Sequence, residues 1–84
     1  MDKFIEVYEF EVDYEFNKIK LRELALISFF KIADVYMLEY DNGWAIFIEL
    51  DNRREFCYSL CNSKENAYQV LNELKDKLNG RENG

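Results

Sequence analysis

Four carboxylates, those of Glu9, Glu11, Asp13 and Glu15, occur at every second position near the start of the chain. Six even positions between residues 4 and 16 are apolar, namely Phe4, Tyr8, Phe10, Val12, Tyr14 and Phe16. Alternation with a period of two is typical of a half-buried β-strand. The pattern predicts a strand over residues 4–16 with one apolar face and one face lined by carboxylates. Such a row carries fixed negative charge, which attracts a basic partner.

The sequence has few residues that could support catalysis, metal binding or phosphate binding. The chain contains no histidine, which is the commonest general base and a frequent metal ligand. Its three glycines, at positions 43, 80 and 84, are too far apart to form a phosphate-binding loop. We therefore expect no catalytic residues, no cofactor and no metal, and a protein that is not an enzyme.

Length and charge restrict the class of protein further. A chain of 84 residues makes one domain, which we place at residues 1–79 with a disordered tail at 80–84. The apolar fraction of 49% is high enough to build a core in so short a chain. The net charge of −6 disfavours nucleic acids and anionic membranes, because both are bound through Lys and Arg. We expect neither direct nucleic-acid binding nor membrane association.

The two cysteines, Cys57 and Cys61, fall in one predicted strand. Four residues of strand separate their Cα atoms by about 13 Å, which is too far for a disulfide. Free thiols are typical of a reducing compartment, and residues 1–3 lead directly into the predicted strand without a signal peptide. We expect a cytoplasmic protein. The composition, which lacks Pro and His and is rich in Lys, Glu, Asn, Ile, Phe and Tyr, resembles that of small proteins of low-GC bacteria and their phages.

Two hairpins are predicted in the middle of the chain. Residues 35–40 and 44–50 flank Asp41-Asn42-Gly43, and a three-residue loop with Gly43 left-handed pairs Tyr40 with Trp44. A second turn at residues 51–53 opposes Ile48 to Phe56. The three strands then share one aromatic and aliphatic face formed by Tyr36, Leu38, Tyr40, Trp44, Ile46, Ile48, Phe56, Tyr58 and Leu60.

The end of the chain predicts an amphipathic helix. Asn62 followed by Glu65 has the spacing of a capping box, and Gly80 is a stop signal. The apolar stripe of this helix consists of Ala67, Val70, Leu71, Leu74 and Leu78. We expect this stripe to pack on the aromatic face of the sheet.

Residues 18–33 allow two interpretations. Lys18, Lys20 and Arg22 could pair across a hairpin with the acidic residues, and residues 24–32 would then form a central strand covered on both faces, ending in a turn at 33–34. A helix is the alternative, giving the order α-β-β-β-α after the first strand. That order resembles the double-stranded-RNA-binding domain, but residues 63–67 carry one lysine where that family has a cluster, so RNA binding is not implied.

The predicted fold class is α+β, an antiparallel β-meander of about five to six strands packed by one C-terminal α-helix. The predicted function is that of a non-catalytic protein-binding module, a small acidic regulator or inhibitor of the anti-defence type carried by phages and mobile elements. It would dock on a basic protein surface. The predicted partner-binding residues are Glu9, Glu11, Asp13, Glu15, Tyr40 and Trp44.

Three other interpretations stay open. The acidic face could be only a solvated strand surface neutralised by the nearby basic residues. The protein could be structural and form a homodimer through its N-terminal strand, if that strand lies at an edge of the sheet. A small-ligand site between sheet and helix would be lined by Tyr36, Trp44, Tyr58 and Tyr68.

Overall fold

The structure is a computed structural model that describes residues 3–80. Its elements are β1 (Phe4–Asp13), β2 (Lys18–Ser28), the 3₁₀ helix η1 (Phe29–Lys31), β3 (Ile32–Tyr40), β4 (Gly43–Leu50), β5 (Glu55–Cys61) and α1 (Lys64–Gly80). The strands form one antiparallel sheet in the order β2-β1-β5-β4-β3, and α1 packs on it. The predicted α+β class is confirmed. The helical alternative for residues 18–33 is not needed, and the resemblance in element order disappears with it.

The β1–β2 hairpin brings together the opposite charges predicted for it. Asp13 pairs with Lys18 and Glu11 pairs with Lys20 across the two strands. A bulge follows, because Arg22 and Glu23 of β2 together oppose the single residue Glu9. Since β1 also pairs with β5, through Tyr8 and Cys57, β1 lies inside the sheet and not at its edge. The edge strands are β2 and β3.

One face of the sheet packs against α1. The buried residues of this helix-side core come from the helix and from all five strands, and include Ile5, Val7, Ile27, Val35, Ile46, Ile48, Phe56, Ala67, Leu71 and Leu74. Ser63 caps the helix, because its Oγ accepts a hydrogen bond of 3.2 Å from the backbone N–H of Asn66. Our assignment of the cap to Asn62 was wrong by one residue. Of the tail predicted at residues 80–84, Gly80 is the last residue of α1, and the other four residues lie outside the described range.

The opposite face of the sheet carries a second core. Ile19, Ala45, Phe47 and Cys57 are buried there, with Phe10, Leu21, Tyr36, Tyr40 and Leu60 packed around them. The ring of Phe47 lies 4.9 Å from that of Phe10 and stacks on that of Tyr36 at 5.4 Å. Contact between Phe10 of β1 and Phe47 of β4 requires the hairpin to curl across this face after its single pairing with β5. β4 and β5 are therefore buried on both sides, because each contributes buried residues to both cores.

The second core explains why the predicted register of β3 and β4 was wrong. Tyr40 pairs with Gly43 and Leu38 with Ala45, so the turn contains only Asp41 and Asn42. The shift by one residue turns Val35 and Met37 toward the helix, and Tyr36 and Tyr40 toward the second core. The predicted register placed all the apolar side chains on the helix side of the sheet. In the structure the rings of Tyr36 and Tyr40 are covered on the opposite face, in the second core.

The hairpin turn at residues 51–53 predicts three pairs between β4 and β5, namely Ile48 with Phe56, Ile46 with Tyr58 and Trp44 with Leu60. Only the first is correct. Ile48 opposes Phe56 as expected, but a bulge at Tyr58 then moves the register by one residue, so Trp44 pairs with Cys61. Cys61 consequently lies in the helix-side core and Cys57 in the second core.

Three further expectations, about the end of β1, the place of β2 in the sheet and the start of β3, are corrected. β1 ends at Asp13, and residues 14–17 form the turn that the alternation pattern concealed. β2 is an edge strand with exposed leucines, not a central strand covered on both faces. The predicted turn at Ala33 and Asp34 lies inside β3, because η1 ends at Lys31 and β3 begins at Ile32.

The tight turn after β3 depends on Gly43. Its φ of 144° is a conformation that other residues rarely adopt, and a Cβ atom there would lie 2.7 Å from the carbonyl oxygen of Cys61. We expect Gly43→Ala to lower the free energy of unfolding by about 1–3 kcal/mol, measured by urea denaturation. Gly80→Ala is the control, because its Cβ would meet nothing within 4 Å. Equal midpoints for both variants and the wild type would contradict this account of the turn.

Candidate protein-binding surface

The turn between β1 and β2 is built from local hydrogen bonds. One oxygen of the Asp13 side chain, Oδ1, accepts hydrogen bonds from the backbone N–H groups of Glu15 and Phe16, at 3.1 and 3.3 Å. Asn17 closes the turn with a positive φ of 51°, which Asn tolerates better than most residues. Asp13 therefore has a structural role in shaping the turn, in addition to its charge.

The β1–β2 turn is fastened to the β3–β4 turn. The side chain of Asn42 accepts a hydrogen bond from the N–H of Ile19 at 3.1 Å and donates one to its C=O at 2.7 Å. Asn17 and Asp41 form two further hydrogen bonds. The backbone C=O of Asn17 accepts from the backbone N–H of Asp41 at 2.7 Å, and the side-chain amide of Asn17 donates to Oδ1 of Asp41 at 3.2 Å. We call these four hydrogen bonds the turn clamp. They join residues more than twenty positions apart and hold the curled hairpin over the second core.

The clamp brings acidic and aromatic side chains to one end of the molecule. We define the tip surface as Asp13, Tyr14, Glu15, Phe16, Tyr40 and Asp41. Tyr14 is 89% exposed and Phe16 is 58% exposed, although both are large aromatic residues. Burial raises the pKa of the Tyr40 hydroxyl, and the Tyr14 hydroxyl raises it further. The Glu15 carboxylate makes no ion pair with any residue in the described range.

Two of the predicted acidic residues are engaged within the chain. Glu9 Oε1 lies 3.8 Å from Nη2 of Arg54, and Glu11 Oε1 lies 3.8 Å from Nε of Arg22. All four side chains are largely solvated, so each pair contributes about 0–1 kcal/mol and can open when a partner approaches. The acidic row is nevertheless partly neutralised, as the interpretation of a solvated face expected.

The two predicted aromatic residues do not form one site. Trp44 packs against the helix-side core, with the Lys64 ammonium 5.7 Å from its ring centre, whereas Tyr40 packs in the second core. They lie on opposite faces of the sheet because Tyr40 pairs with Gly43. Asp13, Glu15 and Tyr40 belong to the tip surface, and Trp44 does not.

The exposure of Tyr14 and Phe16 was not predicted from the sequence. Both continued the even-numbered alternation and were taken as part of the buried face of the strand. A signal was present, because Asp13 and Asn17 are favoured turn residues at a spacing that fits a tight turn. The alternation pattern hid it.

The thiols and the space between sheet and helix offer no obvious reactive site. Both cysteines are free and buried, and burial raises the pKa of the Cys57 thiol to about 11. No three or more acidic or cysteine side chains in residues 3–80 are grouped as a metal ion would require. The predicted small-ligand site is filled by core residues such as Ile46, Ile48 and Leu71, and Tyr36 lies on the other face of the sheet.

Comparisons with protein families, with curated proteins and with solved structures found no match to this chain. Its function must therefore be argued from its own surface. No helix within residues 3–80 has both the length and the apolar character needed to cross a bilayer.

The clamp can be tested through Asn42. Replacing Asn42 with Ala removes both hydrogen bonds to Ile19 and leaves partly buried backbone groups without partners. We expect a loss of about 1–3 kcal/mol in the free energy of unfolding, measured by urea denaturation. Asn72→Ala on the exposed face of α1 is the matched control and should be neutral. A stability of Asn42→Ala equal to that of the control would show that the turns are not held together in this way.

Alkaline pH should destabilise the fold. Burial raises the pKa of Cys57, Tyr36 and Tyr40 above their ordinary values, and the Tyr36 hydroxyl also donates to Glu55 at 2.9 Å. Because the folded state holds these protons more tightly, their contribution is complete below the ordinary thiol value of 9.0 and is lost as pH rises toward 11. The melting temperature should fall over that range, and less steeply in Tyr36→Phe. A constant melting temperature up to pH 11 would contradict this.

Proposed function

We propose that this protein is a non-catalytic protein-binding module that docks on a basic protein surface through its tip surface. The observation that supports this proposal best is the exposure of Tyr14 and Phe16 on a turn held in place by the clamp. A rigid turn loses little conformational entropy on binding, so more of the contact energy is retained. Exposed aromatic residues among polar ones are typical anchors of protein interfaces.

The charges around these anchors favour a basic partner. Asp13, Glu15 and Asp41 surround the aromatic side chains, with Lys18 as the neighbouring basic residue across the hairpin. The chain as a whole carries a net charge of −6. Such complementarity speeds encounter and selects against acidic partners, while the aromatic contacts determine how long the complex lasts. A regulator or inhibitor of the anti-defence type would act in this way, by occupying the surface of its target.

The acidic residues farther along β1 contribute less in this proposal than the sequence suggested. Glu9 and Glu11 each lie beside an arginine, so a partner must compete with Arg54 and Arg22 for them. Trp44 is also a weaker candidate, because it packs against the helix-side core. A non-catalytic role is supported by the lack of histidine and by the high pKa of the Cys57 thiol, about 11, which keeps it protonated at neutral pH.

The proposal predicts that the tip residues control capture of one basic protein from a lysate of the source cells. Tyr14→Ala should weaken its binding by about 2 kcal/mol or more if Tyr14 is an anchor. Glu15→Lys should slow association and reduce its dependence on salt. Binding is measured by surface plasmon resonance with the captured protein at low and high ionic strength.

Asp76→Lys is the matched control, because Asp76 is an exposed acid on α1, far from the tip in the sequence and outside the two turns. It should bind like the wild type. The proposal fails if no protein is captured at low salt, or if the tip variants and Asp76→Lys bind equally well.

A further inference from the structure

The β1–β2 hairpin also exposes apolar side chains away from the tip. Leu26 is 65% exposed, Leu24 is 55% exposed and Phe4 is 58% exposed. Phe4 pairs with Ser28, Leu26 pairs with Glu6, and Leu24 pairs with the half-buried Tyr8, so the apolar side chains flank one carboxylate. Since opposed residues of antiparallel strands share a face, these side chains form one patch on the face opposite Ile5, Val7 and Ile27. A single exposed leucine needs no explanation, whereas a group of this kind marks an interaction surface.

The same segment has a free backbone edge. β2 ends the sheet, so its outer N–H and C=O groups have no strand beside them. Proteins usually protect such an edge with charges and bulges. In β2 that protection is confined to residues 18–23, which contain Lys18, Lys20 and Arg22 and the bulge. Residues 24–28 pair regularly with β1, carry no charge and are left open.

We propose that the occupant of this edge is a second copy of the chain, joined to the first by antiparallel pairing of the two β2 strands centred on Leu26. In this register Leu26 opposes Leu26 of the second copy, and Ala25 opposes Ile27 of the second copy. The three central pairs bring apolar residues together, since Leu26 meets Leu26 and an Ala25–Ile27 pair lies on either side. Leu24 opposes Ser28 at each end, and opposed residues share a face. The dimer has two-fold symmetry and closes on itself, because each β2 edge is paired with the other, so this contact does not propagate into a filament.

The charges at both ends of the segment fit this arrangement. Glu23 of one copy approaches η1 of the other copy, where Lys31 supplies the opposite charge. The basic residues Lys18, Lys20 and Arg22 extend away from the two-fold axis, so the basic halves of the two strands lie at opposite ends of the dimer. Repulsion between two chains of net charge −6 is screened over about 8 Å at physiological salt.

This inference replaces self-association through the N-terminal strand, because β1 is interior and β2 is the free edge. It uses a surface distinct from the tip surface, so the two proposals can fail separately. A dimer would present two tip surfaces and could bind a repeated or two-fold symmetric partner more tightly than one copy does.

Light scattering across micromolar to millimolar concentration tests the dimer. The wild type should approach twice the mass of one chain. Leu26→Lys places two ammonium groups together at the two-fold axis, and should raise the dissociation constant about tenfold or more. Leu38→Lys is the matched control, because Leu38 is also an exposed leucine (47%), on the opposite edge strand β3. It should dimerise like the wild type.

Cross-linking fixes the register independently of any effect on folding. In the proposed register the two Leu26 Cα atoms lie about 4.5–5.5 Å apart, within reach of a disulfide. Leu26→Cys should therefore form a covalent dimer on mild oxidation, and Leu38→Cys should not. A wild type that stays monomeric at millimolar concentration, a dimer unaffected by Leu26→Lys, or failure of Leu26→Cys to cross-link would each overturn the proposal.

Discussion

The architecture depends on two hydrogen bonds between the side chain of Asn42 and the backbone of Ile19. The side-chain amide of Asn42 has a donor and an acceptor spaced like the N–H and C=O of a neighbouring strand. It therefore bonds the outer N–H and C=O of Ile19 as a neighbouring strand would. The curled hairpin is thereby held over the sheet, which closes the second core around Phe47 and shields it from water. The same contact fixes where Tyr14 and Phe16 stand. Stability and the proposed function thus share one interaction.

Burial on both faces suits a chain of this size. With a single helix, a flat five-stranded sheet would leave one face in water, and its aromatic side chains would have no cover. Curling the hairpin covers that face with the chain's own residues, Phe10, Leu21 and Ile19. The curl also interrupts pairing between β1 and β5, which is limited to Tyr8 and Cys57. The cost is an incomplete sheet, in which the tip surface and the β2 edge stay exposed.

Sequence patterns predicted what local chemistry determines. The opposite-charge pairs of β1 with β2 and the amphipathic stripe of α1 were readable, because each depends on the spacing of residue types along one or two elements. The strand β1 was readable as a strand, but its buried face was not, because its buried residues are Ile5 and Val7 at odd positions and Phe4 is exposed. The register of β3 could not be predicted, because residues 35–38, Val-Tyr-Met-Leu, are apolar on both faces. Either register would therefore turn apolar side chains toward the helix. The decisive contact lies between Asn42 and Ile19, 23 residues apart, and no periodicity encodes it. Of the predicted partner-binding residues, Asp13, Glu15 and Tyr40 lie in the tip surface, and their role in binding stays a prediction.

The most direct test of the account is a nuclear Overhauser spectrum of the protein labelled with ¹⁵N and ¹³C. The clamp predicts cross-peaks from the Asn42 side-chain amide to Ile19, together with cross-peaks between the ring protons of Phe10 and Phe47, whose centres are 4.9 Å apart. If the Asn42 amide shows contacts only within its own turn and the two rings show none to each other, the hairpin does not fold over the sheet, and the tip surface does not exist as described.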